Sequence, residues 1–184
     1  MTGSAGSALT FIVQTLLSLL LFVFMLRVLL QWARADFRNP LAQAVVKITN
    51  PLVLPLRRAL PPVGKVDTAS LVAVLLVTIV EVAIVAALPG DPRNYQPTLG
   101  WWTKTVTFEI LSTVLQAYRF AIFIYALLGM IAPGGGSPMQ SLLAALCEPV
   151  LRPFRRIIPP IANLDLSPLW ALIAIQALLI LLNW

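Results

Sequence analysis

Four long apolar runs leave this chain few ways to fold. Residues 9–32, 68–88, 108–131 and 167–184 each approach or exceed the roughly 20 residues that cross a hydrocarbon core about 30 Å thick. Inside lipid a backbone must satisfy its own polar groups, so each run is read as a transmembrane helix. The first has no Lys or Arg before Arg27 and is too long for a signal-peptide core, so it is read as retained. The composition agrees: 59% of residues are hydrophobic and 11% charged, with a mean hydropathy of +0.90.

Between these runs the chain writes one passage twice. NPLVLPLRRALPPVGKVD at 50–67 returns as EPVLRPFRRIIPPIANLD at 148–165, at a constant offset of 98 and without a gap. The identities are Pro51/Pro149, Pro55/Pro153, Arg57/Arg155, Arg58/Arg156, Pro61/Pro159, Pro62/Pro160 and Asp67/Asp165. The same register holds at Leu29/Leu127, Leu30/Leu128, Pro40/Pro138, Leu71/Leu169 and Ala73/Ala171. A register shared over that length implies one module used twice.

The formal charge of +6 could suggest nucleic acid, but it is distributed by side of a membrane. Segments 33–67 and 132–166 hold Arg34, Arg38, Lys47, Arg57, Arg58, Lys65, Arg152, Arg155 and Arg156, nine of thirteen basic residues. Segment 89–107 holds only Arg93 and Lys104. The positive-inside rule therefore predicts cytoplasmic repeat motifs and outer termini. With no histidine and one cysteine, Cys147, the chain by itself can form neither a zinc cluster, nor a disulfide, nor a Cys/His dyad.

The expected plan is all-α: four transmembrane helices as two tandem repeats. Residues 1–8 form a loose outer tail. Repeat one covers 9–88, with a spanning helix at 9–32, an amphipathic helix at 40–49, the Pro/Arg motif at 50–67 and a second span at 68–88. An outer loop fills 89–107. Repeat two covers 108–184, with corresponding parts at 108–131, 138–147, 148–165 and 167–184. Asn39-Pro40 and Ser137-Pro138 read as N-caps followed by a first-turn proline. Pro51 and Pro149 are expected to stop the amphipathic helices. The motif itself, with its four prolines spread over P-x-x-x-P and P-P, is expected to be irregular and to lie at the interface. Asp67 is expected to cap the helix that follows, and Arg27 to snorkel to the interface.

The stiff motifs hold Arg57, Arg58, Arg155 and Arg156 for one of two uses. They suit anionic lipid head groups, at about 1 kcal/mol per residue. Equally, they suit internal pairs with Asp67 and Asp165 and with helix C-terminal carbonyls. A second polar set lies within the spans: Glu81, Arg119, Gln116, Thr78 and Gln176. An arginine at mid-bilayer costs about 2.5–3.5 kcal/mol, so Arg119 is expected to find a mate. Glu81 at compatible depth is the expected partner; a polar or proton-linked pathway is the other reading. No nucleophile is grouped with a base, and the run Gly134–Gly136 lacks the Lys-Ser/Thr of a phosphate loop, so no enzyme is expected.

LRVLLQW at 26–32, Asn39-Pro40, TNPLVLPLRRALPP at 49–62 and DTAS at 67–70, with the second-copy EPVLRPFRRIIPP and DLSP, resemble the YggT family of small integral membrane proteins. The doubled form is similar to the proteobacterial type. Copy two departs from copy one at Tyr125, where Arg27 stands, and at Glu148, where Asn50 stands. The resemblance implies a bacterial inner-membrane accessory protein, tied to membrane-protein assembly or osmotic-stress tolerance, with no cofactor. Its partners would be membrane lipid and either a protein or further copies of itself, with no direct role for nucleic acid. A small oligomeric transporter or channel component for ions or osmolytes is the alternative.

Overall fold

A computed structural model describes residues 2–62, 67–88, 98–131, 136–157 and 165–182, with side chains from Gly6 onward. Among them are six helices and no strand: α1 (Thr2–Trp32), α2 (Pro40–Ala59), α3 (Thr68–Ala87), α4 (Leu99–Ile131), α5 (Pro138–Ile157) and α6 (Ser167–Leu182). The chain is all-helical, as expected. Three helices, α1, α3 and α4, are long and apolar enough to cross a membrane. The expected fourth span is represented by the shorter apolar α6, and residues 183–184 fall outside the described residues.

The helix ends correct several expectations. α1 is already helical at Thr2, so the tail is not loose there, although Gly3 and Gly6 are each about 1 kcal/mol poorer helix formers than Ala. α4 begins at Leu99 rather than 108. Thr98 precedes it, and its Oγ1 accepts the Trp101 N–H at 3.2 Å, which is an N-cap. Trp101 and Trp102, edge to face at 5.5 Å, thus ride the first turn. α1 ends in a Schellman motif: Ala35 N–H reaches Leu30 O at 2.9 Å, Arg34 N–H reaches Gln31 O at 3.1 Å, and Arg34 takes φ 54°.

The largest correction concerns the prolines. Neither Pro51 nor Pro149 stops its helix, since α2 and α5 each run on for 20 residues through Pro51 and Pro55 or Pro149 and Pro153. Both Arg pairs therefore sit on a last helical turn rather than on irregular backbone. The prolines are four residues apart, so they share one face, and all four are exposed. The opposite face carries the buried Thr49 and Val53 in α2 and the buried Cys147 and Leu151 in α5. A proline in a helix interior costs ~3 kcal/mol chiefly through a lost bond and a clash with the preceding turn. Here the prolines lie on the exposed face, and packing of the opposite, buried face keeps each helix continuous. The expected starts hold: Asn39 Oδ1 accepts from Leu41 N–H at 2.9 Å and Ser137 Oγ from Gln140 N–H at 3.2 Å. Lys65, Pro159 and Pro160 lie outside the described residues, while Pro61 and Pro62 follow α2 as exposed non-helical residues.

The chain divides into two compact units. One comprises Met1–Met25 with Thr49–Thr113, the other Leu26–Ile48 with Val114–Trp184. In the first, α3 buries Ala69, Ala73, Val77 and Glu81. In the second, α6 buries Ser167, Ala171, Ile175 and Leu179, the same positions displaced by 98. Both seams step by four residues, one ridge of a helix. The first two turns of each seam are small, with Ala69 and Ala73 in α3 and Ser167 and Ala171 in α6, whereas Leu71, Leu75, Ile79 and, in α6, Leu169, Ile173 and Leu181 are exposed. Large aliphatics outside and small or polar groups inside suit a lipid solvent, where close backbone approach rather than hydrophobic burial joins helices.

Candidate functional site

Each Pro/Arg segment makes the same ion pair. Arg57 at the end of α2 reaches Asp67 just before α3, through Nε at 3.2 Å and through Nη2. Arg155 at the end of α5 reaches Asp165 just before α6 at 2.9 Å. The first arginine of each pair thus ties the Pro/Arg helix to the next apolar one. Asp67 occupies the N-cap position of α3 without a side-chain cap bond, contrary to expectation, because Arg57 and Ser70 Oγ (2.7 Å) engage its carboxylate. The hydrogen bond to Asp67 holds the Arg57 guanidinium pKa above its usual range.

The two copies surround this pair differently. The Asp67 side chain is 3% exposed and that of Asp165 40%. In copy two Arg155 gains two further partners, Glu148 Oε2 at 2.6 Å and Tyr125 OH at 3.0 Å, and its guanidinium lies 5.9 Å from the Tyr125 ring centroid. Glu148 and Tyr125 are the positions at which copy two departs from copy one in sequence. Both departures converge on one guanidinium. Burial opposes ionisation of Asp165, but the hydrogen bonds from Ser167 and the Arg155 contact outweigh it and hold its carboxyl below the ordinary range. Arg27, standing where Tyr125 does, is 4% exposed and donates to the Val46 carbonyl at 3.4 Å instead of snorkelling outward.

The second arginine of each pair is different. Arg58 and Arg156 are exposed, and among the described residues neither has an ion-pair partner; the same holds for exposed Arg152. Asn39 Nδ2 donates to the Pro138 carbonyl, so the starts of α2 and α5 meet within the second unit. Cys147, equivalent to Thr49, is fully buried, and burial pushes its thiol up to about 12. It is a packing residue.

Within the apolar helices each expected charge is engaged inside its own unit. Glu81 on α3 is fully buried and accepts from Ser18 Oγ on α1 at 2.6 Å. Arg119 on α4 is exposed and donates to Gln176 on α6 at 2.9 Å. These two ties replace the pair expected between the two charges. They occupy matching places: Gln176 stands at the position of Thr78, Glu81 one turn on from it, Arg119 one turn on from Gln116, and Gln116 at that of Ser18. Ser18 is the member the sequence reading missed; its equivalence to Gln116 was the available signal. Thr78, fully buried, spends its hydroxyl on its own helix, donating to Val74 O at 2.9 Å, and Gln116 is exposed. Among the described residues no cluster could hold a metal ion.

The sequence profile of the family described as CCB3/YggT matches residues 6–88 and 105–184. An uncharacterized protein of Pseudomonas aeruginosa is 38% identical over 172 residues, covering 93% of this chain and 86% of the relative. The uncharacterized protein YggT of Escherichia coli K12 is 31% identical over 163 residues, 89% of this chain and 82% of the relative. An uncharacterized Vibrio alginolyticus protein is 32% identical over 173 residues, 92% of this chain and 90% of the relative. No solved structure matches the chain.

Proposed function

The chain belongs to the CCB3/YggT family, and on that premise we propose that it is a non-enzymatic inner-membrane accessory protein serving membrane-protein assembly or osmotic-stress tolerance. Its working surface is Arg58 and Arg156, held by the two Pro/Arg helices on the cytoplasmic side. The observation that carries this reading is the division of labour within each pair: Arg57 and Arg155 are engaged by Asp67 and Asp165, while their neighbours stay exposed. A structural role alone needs one arginine per copy. The second, on a helix end fixed by the first, is free for an anionic head group or an acidic partner.

In this reading α6 is the fourth span, the termini are periplasmic and the two profile segments are two repeats of one module. Crossings by α1, α3 and α4 suffice to bring α2 and α5 to one side, and the Asn39 bond to Pro138 agrees with that. Changing Arg58 and Arg156 to Gln should lower flotation with anionic liposomes and capture of a crosslinked partner from native membranes, with thermal stability kept. Unchanged binding in that variant, with growth at high salt intact, refutes the reading.

A second reading is favoured by Arg119, Gln116 and Gln176, three exposed polar residues on apolar helices. Against lipid they are costly. In an oligomer they would line a polar path for ions or osmolytes. Flux in proteoliposomes that responds to Arg119→Gln, and not to the Arg58/Arg156 variant, would establish it.

A further inference from the structure

We propose that α5 carries a site for the head group of an ethanolamine phospholipid, one that reads both the phosphate and the ammonium N–H donors. The inference rests on the lipid-binding form of the reading above and names the chemistry of the ligand.

On an ideal helix Pro149, Arg152, Pro153 and Arg156 fall within an arc of roughly 100°. All four are exposed, and the arc is opposite the buried Cys147 and Leu151. Arg155 and Glu148 bond each other on the neighbouring flank, so the arc keeps its two arginines for an outside anion. The prolines add a second feature. Lacking an N–H, Pro149 removes the helical donor of the Ala145 carbonyl, and Pro153 that of the Pro149 carbonyl. Two acceptors deprived of their helical donors therefore sit beside two cations on one outward face. An anion alone uses only the cations. A ligand with a phosphate and, a few bonds away, a group bearing several N–H donors uses both halves.

The flanking surface favours a lipid as the source. Ile157, 78% exposed, lies on the edge of the arc one turn beyond Pro153, where an acyl chain can rest. Phosphatidylethanolamine fits the set: phosphate to Arg152 and Arg156, ammonium to the carbonyls of Ala145 and Pro149. Phosphatidylcholine is the discriminating control, since its trimethylammonium carries the same charge and no donor. Copy one presents less, with Leu54 in place of Arg152.

The test is lipid titration of the purified full-length protein, read by native mass spectrometry, with phosphatidylethanolamine, phosphatidylcholine and phosphatidylglycerol of matched chains. One or two added hydrogen bonds correspond to a preference for ethanolamine over choline of roughly three- to tenfold. Replacing Pro149 and Pro153 by Ala restores the helical donors and should bring that ratio to one while leaving phosphatidylglycerol binding unchanged. Arg152→Gln with Arg156→Gln should weaken all three lipids. Equal binding of ethanolamine and choline lipids by the unaltered protein overturns the proposal, whatever the variants do, as does a preference that survives both proline replacements. Loss of phosphatidylglycerol binding in the arginine variant, with no ethanolamine preference, would sink this inference and leave the accessory reading standing.

Discussion

Adjacent arginines with opposite duties give the sharpest prediction. Arg57→Gln removes the cation facing a carboxylate that is 3% exposed, whereas Arg58→Gln removes an exposed charge with no ion-pair partner among the described residues. Orphaning a fully buried charge costs about 3–5 kcal/mol. Arg57 is itself 46% exposed, so solvent already screens the pair, and Ser70 keeps its 2.7 Å bond to Asp67. About 1–3 kcal/mol is therefore expected for Arg57→Gln, against no more than about 0.5 kcal/mol for Arg58→Gln. Asp67→Asn should cost less than Arg57→Gln, because the guanidinium it leaves behind can turn to water. Adding Asp67→Asn to Arg57→Gln should then cost little further, a coupling of about 1 kcal/mol or more. Reversible unfolding in mixed micelles, followed by helical circular dichroism, measures all four proteins on one scale. Equal losses for Arg57→Gln and Arg58→Gln would refute the division of labour, and strictly additive losses for Arg57 and Asp67 would refute the contact.

Other consequences are open to direct measurement. Cys147 should resist maleimide in the folded protein at neutral pH and label fully on denaturation, since it is buried and its thiol is pushed up to about 12; rapid native labelling would contradict its place in the core. Asp165 is held below its ordinary range, so its contribution to stability is complete above its unfolded pKa of about 3.9 and is lost as pH falls through the lower folded value. Asp165→Asn should flatten stability below about pH 4, and an unaltered acid limb would count against the contact. Arg34→Gly should stabilise by roughly 0.5–1 kcal/mol by relieving a left-handed residue at the end of α1, and a loss of stability there would count against the Schellman turn. For topology, cysteines replacing Ser4 and Ala59 in a Cys147→Ser background should label from opposite sides of the membrane; labelling of both from outside would reverse the proposed orientation.

Much of the fold is legible in the sequence because lipid imposes one rule on every residue of a span. The apolar runs, the starts at Asn39 and Ser137, and the repeat register follow from local composition and spacing. The buried ridge Ala69–Ala73–Val77–Glu81 recurs as Ser167–Ala171–Ile175–Leu179, so the register carries the packing as well as the motif. Sequence also narrowed each arginine pair to lipid or aspartate without choosing. The choice belongs to tertiary structure: only the path of the chain around the Pro/Arg segment puts Arg57 against Asp67 and turns Arg58 outward. The prolines show the same limit from the other side. Local rules count the donor each removes, while packing of Thr49, Val53, Cys147 and Leu151 decides that both helices continue. The partners of Glu81 and Arg119 lay beyond sequence for a similar reason: depth along a helix can be read from residue number, but which neighbouring helix a side chain faces is set by the rotation of that helix in the assembled fold.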